Sequence, residues 1–476
     1  MMRRFVLLLA ATSLSACSMA PTYVRPDVPV PPSWPVGDSY LKQSEAALPA
    51  VTYRDIFRDQ RLQALIEQAL TNNRDLRIAA ANIAAARAQY RIQRSELFPA
   101  VGASAGVTHS DNGNGAGDRT NFSVDGGITA FELDLFGRIR SLSTAAQNSY
   151  FATEAAARAT RLTLVGDIAS AWLTYGADKS LQAIAQDTAK SAEQSVKLTR
   201  ARLEGGIAPR TDLRQAETVL ATAQSDLAQQ TTNVAQDINA LRLLVGAPID
   251  PTLLPGSIEE AGKTVAELPA GVDSGILLRR PDVVQAEYQL RSANAEIGAA
   301  RAALFPRISL TAVLGLASGA LGDLFKGGSF NYSTGANASY SIFNAGAGRA
   351  NVRLSEAQRD AALAGYEKAI QTAFREVSDA LARRGTIADQ VRAGEALASA
   401  SADNYRLSDA RYRGGIDTFL NSLDAQRSLY SARRQLVSTQ LTAATNLVTL
   451  YRVLGGDSTL DATAAGPTPV SGTTGN

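Results

Sequence analysis

Apolar side chains recur every seven positions over two long stretches of this chain. Leu213, Leu220, Leu227, Val234 and Leu241 form one series, and Ala216, Ala223, Gln230, Asp237 and Leu244 follow each member by three residues. This is the a/d spacing of helices packed side by side, with leucine or valine on one seam and mostly small or polar residues on the other. The same phase returns at Leu429, Leu436, Ala443 and Leu450, beside Ala425, Ala432, Thr439, Asn446 and Val453. A compact globular bundle is the plainer alternative, but polar residues at d-like sites suit a helix face that borders water. Ahead of each series lies a proline-free stretch, about 140–204 and 349–413, built from Ala, Leu, Arg, Gln and Glu. A continuous helix of that size would span roughly 100 Å. Gly166, Gly176, Gly365, Gly385 and Gly394 are places where it could bend or break. Gly205-Gly206 and Gly414-Gly415 end these helices, so each half holds a long helical hairpin with a Gly-Gly-Ile turn at its tip.

Elsewhere the period drops to two. Val101–Ser110 leads to a loop with Asn112-Gly113-Asn114-Gly115, after which Phe122, Val124, Gly126 and Ile128 alternate with polar or small residues. Ile308, Leu310, Ala312, Leu314 and Leu316 do the same, followed by a Gly/Leu loop and a strand over Tyr332–Phe343. Such alternation over about ten residues per strand suits a wall with lipid on one side and water on the other. A pair of soluble hairpins is the alternative. Four strands alone leave two open edges, prohibitive in lipid, and are too few to enclose a water-filled barrel. The chain is therefore expected to oligomerise.

The two halves are copies. Ala201–Gly246 aligns without a gap to Ala410–Gly455 at a shift of 209, setting Gly205-Gly206-Ile207 against Gly414-Gly415-Ile416. Upstream the shift is 207, where Leu97-Phe98-Pro99 answers Leu304-Phe305-Pro306 and Arg74-Asp75 answers Pro281-Asp282. A repeat this long implies a duplicated domain rather than a solenoid. The expected organisation is a signal peptide at 1–16, a tether at 17–50 and a first repeat at 51–248. That repeat has a helix, two strands near 100–136 and a hairpin at 140–245. A connector at 249–268 precedes a second repeat at 269–456, with a helix, strands near 306–343 and a hairpin at 349–454. A disordered tail at 457–476 ends the chain.

Composition narrows the reading. The chain has 476 residues, 45% of them hydrophobic and 19% charged, with a net charge of +2. That balance argues against nucleic acid, which favours a basic domain. Arg3 and Arg4 precede the apolar run Phe5–Ala11 and a small-residue stretch that stops at Cys17, the features of a secretory signal. Leu14-Ser15-Ala16-Cys17 resembles a bacterial lipobox, making Cys17 the expected lipidation site, and Ser18 after it favours sorting to the outer membrane. An ordinary signal with an incidental cysteine is the alternative. Cys17 is the single cysteine and His109 the single histidine. Gly102-Ala103-Ser104-Ala105-Gly106 fits the G-x-S-x-G hydrolase pattern, but it lies inside a strand, with no histidine other than His109 to call on. No catalysis, metal or cofactor is expected beyond the lipid on Cys17.

These residues together resemble the outer-membrane efflux protein family. The motifs are Cys17, Arg280-Pro281-Asp282-Val283 with Ala286-Glu287, both Leu-Phe-Pro segments, Leu133-Asp134-Leu135-Phe136-Gly137, Tyr412-Arg413-Gly414-Gly415 and Leu423-Asp424-Ala425-Gln426. The combination is most similar to the lipoprotein branch that serves resistance-nodulation-division exporters. The resemblance implies a mainly α chain with a transmembrane β part. Three chains would form a homotrimer with a twelve-stranded outer-membrane β-barrel, four strands from each, continued by a periplasmic α-helical coiled-coil barrel. It implies a gate with Asp424 in a ring of carboxylates, Asn421 at an uncharged second ring, and Asp212 and Tyr412 linking neighbouring coils. From the residues alone, Asp424 reads as a solvated helix position and Asp212 as an N-cap. Asp417 stands where an arginine sometimes takes part in those links. The function implied is a passive, gated exit duct of a tripartite efflux system. Its partners would be an inner-membrane pump and a periplasmic adaptor that meets the hairpin tips at Gly205, Gly206, Gly414 and Gly415. The competing reading is a lipid-anchored periplasmic coiled-coil adaptor.

Overall fold

The structure, a computed structural model, describes residues 18–35, 37, 40, 52–110, 119–267, 274–456, 460–463 and 466–469. Cys17 and the signal segment lie outside the described residues. The main elements are α1 (Gln60–Asn72), α2 (Arg74–Ser95), β1 (Gly102–Ser110), β2 (Arg119–Leu133), α3 (Arg138–Glu204), α4 (Arg210–Val245), α5 (Pro281–Ala302), β3 (Arg307–Ser318), β4 (Phe330–Ser339), α6 (Ala347–Arg413) and α7 (Phe419–Val453). Within the tail expected to lack structure, β5 (Leu460–Thr463) and β6 (Gly466–Pro469) pair antiparallel. The chain forms two compact units, and each draws on both halves of the sequence.

One unit comprises 81–155, 285–367 and the segment up to Pro26. Its sheet has the order β1-β2-β3-β4, antiparallel throughout. Register puts nearly all the apolar side chains on one face. Leu316, Leu314 and Ile308 of β3 pair with Val124, Gly126 and Leu133 of β2 on one side and with Phe330, Tyr332 and Ala338 of β4 on the other. Val107 faces Phe122 across β1 and β2. The opposite face carries Ser104 against Asp125, Thr108 against Asn121, and Asn331, Ser333 and Asn337. One irregularity keeps this sorting intact. Ile128 pairs with Ala312 but Phe131 with Leu310, so β2 holds one extra residue in a bulge. Without it, Phe131 and Leu133 would fall on the polar face. The apolar face is open, with Tyr332 74% and Leu314 60% exposed.

The strand-to-helix corner explains the Leu133–Gly137 motif. The Asp134 carboxylate accepts from the backbone N–H groups of Ile139 and Arg140 (3.1 and 2.9 Å) and so caps α3, while Gly137 takes φ 74°. Glu132 pairs with Arg138 at 2.7 Å. Phe136 stacks on Phe305 at 4.6 Å. The proline-rich segment is more than a tether. At Gly298 of α5 a Cβ would lie 2.7 Å from Ala20, Asn294 donates to the Pro21 carbonyl at 2.8 Å, and Arg291 sits 4.3 Å over the Tyr23 ring. Arg25 donates three times to Glu287, at 3.2, 3.0 and 2.9 Å.

The second unit comprises 27–80, 156–284 and the chain from Lys368 onward. Its core includes Trp172, Tyr451, Phe57, Leu65, Ile168 and Leu241, all fully buried. Trp172 donates to the Leu253 carbonyl at 2.9 Å. Gly176 permits close approach rather than a bend, since a Cβ there would lie 3.1 Å from the Ser257 carbonyl. Both 67-residue helices, α3 and α6, run unbroken through the glycines that left room for a bend or break. Asn73 caps α2 through Asp75 and Leu76 and also donates to the Leu244 carbonyl.

Candidate functional site at the hairpin tips

Both tips, in the second unit, are built the same way. Gly206 and Gly415 each take φ 74°, a left-handed conformation that glycine adopts without a Cβ penalty. The Ile207 and Ile416 N–H groups each reach back 2.9 Å, to the carbonyls of Arg202 and Arg411, closing the helix ends. Gly205, Gly206, Gly414 and Gly415 are all exposed, and so are Ile207 and Ile416, at 76% and 68%. Each turn thus presents one exposed isoleucine at its tip.

Behind the turns, Tyr412 is buried with Val196, Leu213, Ala216, Phe419 and Leu423. Its ring lies 5.3 Å from Phe419, with the Arg202 guanidinium 4.4 Å over its face. Arg202 also donates to the Arg413 carbonyl at 3.0 Å, joining the two tips. Tyr412 and Asp212, expected to link neighbouring coils, do not bond each other within the chain. The Tyr412 hydroxyl lies 3.4 Å from Thr199, and among the described residues the Asp212 side chain has no hydrogen-bond partner. Asp212 is not an N-cap either: Pro209 holds that position, and Asp212 is the third residue of α4, where its charge favours the helix dipole. Tyr412 thus joins the coils through packing and cation–π contact.

Asp417, standing where an arginine link was considered, is held within its own tip. The Arg411 guanidinium bonds it at 2.5 Å and holds its carboxyl below the usual range, aided by a hydrogen bond with Asn421. Asp424 is exposed, and Arg427, at 3.9 Å, is also more than half exposed. Such a pair contributes well under about 1 kcal/mol. Asn421 and Asp424 lie three residues apart on one exposed face of α7. At the shift of 209, Asn421 corresponds to Asp212 and Asp424 to Gln215, so each tip carries one carboxylate at this pair of positions.

Two polar bridges farther along the hairpins were not singled out in the sequence. The Tyr430 hydroxyl donates to Asp226 at 2.6 Å with Arg434 3.8 Å from the same carboxylate, and burial followed by that bond pushes the phenol up to about 12. Ser191 lies 2.8 Å from the Tyr405 hydroxyl and accepts from Gln426 at 3.3 Å. Their only sequence signal is polar residues on the heptad helices. In α3 and α4, Asp178 faces Asp237, and burial together with the neighbouring carboxylate raises Asp237 to about 7. The hydrolase-like motif dissolves in the sheet: Ser104 and His109, five residues apart on β1, point to opposite faces.

The model for the outer membrane efflux protein family matches the chain twice, over residues 65–247 and 274–456. The probable efflux pump outer membrane protein TtgC of Pseudomonas putida is 44% identical, with 96% of each chain covered. A membrane protein from Pseudomonas aeruginosa with a solved structure superposes with a TM-score of 0.85 at 38% identity, covering 92% of this chain and 100% of that one. The open state of the Neisseria gonorrhoeae MtrE outer membrane channel gives a TM-score of 0.83 at 35% identity, covering 93% and 98%. With two matches of the family model spanning both helical hairpins and all four strands of the sheet, this chain belongs to the outer membrane efflux protein family.

Proposed function

We propose that this chain is the outer-membrane exit channel of a tripartite efflux pump, conducting passively what an inner-membrane pump expels. The observation that carries the reading is the two-faced sheet: an exposed apolar face, a polar face behind it, and outer edges of β1 and β4 left unpaired among the described residues. An apolar face suits lipid and a polar face suits a water-filled lumen, while open edges in lipid demand further strands. Three copies of a duplicated chain would supply twelve, with Cys17 carrying the lipid anchor. The exposed tip residues Ile207 and Ile416 are where a periplasmic adaptor docks. The pump partner is of the resistance-nodulation-division type, as the sequence resemblance implies.

In this reading the Asp424 carboxylates of the copies converge at the constriction, with Asn421 and Asp212 beside them. Converging carboxylates repel one another and attract cations. The lipid-modified protein reconstituted in planar bilayers is expected to conduct, and Asp424→Ala to raise single-channel conductance and weaken divalent-cation block. Unchanged conductance and block would remove Asp424 from the constriction, and absence of any conductance from the wild type would remove the channel reading.

A further inference from the structure

The chain contains one complete strand-pair junction and the two separated halves of another. In the complete one, β2 pairs with β3 so that Phe131 faces Leu310 and Leu133 faces Ile308, and just beyond the strand end Phe136 stacks on Phe305 at 4.6 Å and 22°. The repeat shift of 207 turns Phe136 into Phe343 and Phe305 into Phe98. Neither has an aromatic partner among the described residues, and they are 87% and 64% exposed. Tyr340 and Ile342, beside Phe343, are 59% and 91% exposed, and Val101, beside Phe98, is 77% exposed. An aromatic stack stabilises beyond the area it buries. Here both rings are largely exposed, just outside strands whose outer edges are unpaired among the described residues.

We infer that a second copy of this chain completes the β4 edge by repeating the β2–β3 junction, with Phe343 stacked on the partner subunit's Phe98. The same shift converts the pair Phe131–Leu310 into Ala338 opposite the partner subunit's Ala103, and Leu133–Ile308 into Tyr340 opposite the partner subunit's Val101.

Face parity provides an independent check on this register. On β4 the apolar face carries the even-numbered residues Phe330, Tyr332, Ala336 and Ala338, and on β1 the odd-numbered Ala103, Ala105 and Val107. Pairing Ala338 with Ala103 therefore keeps one face apolar across the new junction, whereas a slip of one residue would set Ala338 beside polar-face residues. No bulge is needed, because β4 lacks the extra residue that β2 carries. The corner after β4 does differ: two further residues separate Phe343 from α6, with Ala345 at φ 51° and Gly346 at φ 85°. These two residues account for the change of shift from 207 to 209 and leave the strand register untouched.

The inference rests on the channel reading above but fails separately from it. In the full-length, lipid-modified protein carrying Ala103→Cys and Ala338→Cys, oxidation in outer membranes is expected to join copies through disulfides. The covalent yield should be at least about tenfold above that of either single substitution, since facing Cβ atoms in an antiparallel pair lie within disulfide reach. The displaced pair Ala103→Cys with Asn337→Cys, on opposite faces, is expected to stay at the single-variant background. If amine cross-linking still captures oligomers of the double variant but no disulfide forms, or the displaced pair joins better, the register is wrong while assembly stands. If amine cross-linking of the wild type captures monomers only, the assembly reading itself is lost. Phe343→Ala is expected to lower the thermal dissociation temperature of the oligomer and Phe343→Tyr to restore it; equal behaviour of the two would overturn the stacking.

Discussion

At the scale of single residues, the buried charges carry the sharpest consequences. The Glu287 side chain is only 1% exposed and meets Arg25, Arg291 and Tyr23, which fastens the N-terminal segment onto α5. Removing one partner of a buried ion pair costs about 3–5 kcal/mol because the other charge is left without compensation. Glu287→Ala should therefore lower the midpoint of thermal unfolding and expose residues 20–25 to protease, measurable by limited digestion followed by mass mapping. Nothing local in the sequence announces this contact, since Arg25 and Glu287 stand 262 residues apart. Asp237 supplies a pH signature. Burial, then the Asp178 carboxylate, raises it from 3.8 to about 7, so the folded hairpin holds a proton that the unfolded chain gives up near its ordinary value. Its contribution is complete at low pH and declines as pH climbs from about 4 to 7, because ionising the folded state then becomes costly. Asp237→Asn should flatten that decline in unfolding curves taken across this range. The second hairpin already has the amide at the equivalent position, where Asn446 donates to the Ala380 carbonyl at 3.1 Å.

Among the elements, the heptad helices were the most legible and the polar bridges the least. Leu213, Ala216, Ala223, Gln230 and Leu241 were all placed on the seam by their spacing, and all are buried in α4. Periodicity reports which face is covered but not by what, so the Tyr430–Asp226 bridge, spanning 204 residues, left no pattern to read. Tyr412 shows the same boundary: its importance was visible in a motif, whereas its partners, Phe419 and Arg202, were fixed only by the way the coils meet. The β2 bulge lies between these cases. Apolar residues fall on even positions through Ile128 and on odd ones from Phe131, and that change of parity is the bulge written in sequence. Deleting Ala130 should remove the bulge and leave Phe131 and Leu133 on the apolar face, now two and four positions after Ile128 in regular alternation. The expected outcome is a membrane-inserted, heat-resistant oligomer on unheated gels, as for the wild type; loss of that oligomer, with the helical circular dichroism retained, would show that the bulge does more than absorb one extra residue.

For the whole molecule, the decisive fact is an open sheet of four strands with an exposed apolar face. Among the described residues no helix is long and apolar enough to cross a membrane, so in this account the strands alone meet the lipid. A four-stranded segment satisfies that demand only when other chains pair its edges. Membership of the outer membrane efflux protein family agrees with a part that is incomplete alone, built from halves that repeat the same helical hairpin. The mass of the detergent-solubilised, lipid-modified particle tests this most directly. Three copies per particle are expected, whereas a single folded copy, stable without neighbours, would contradict the account.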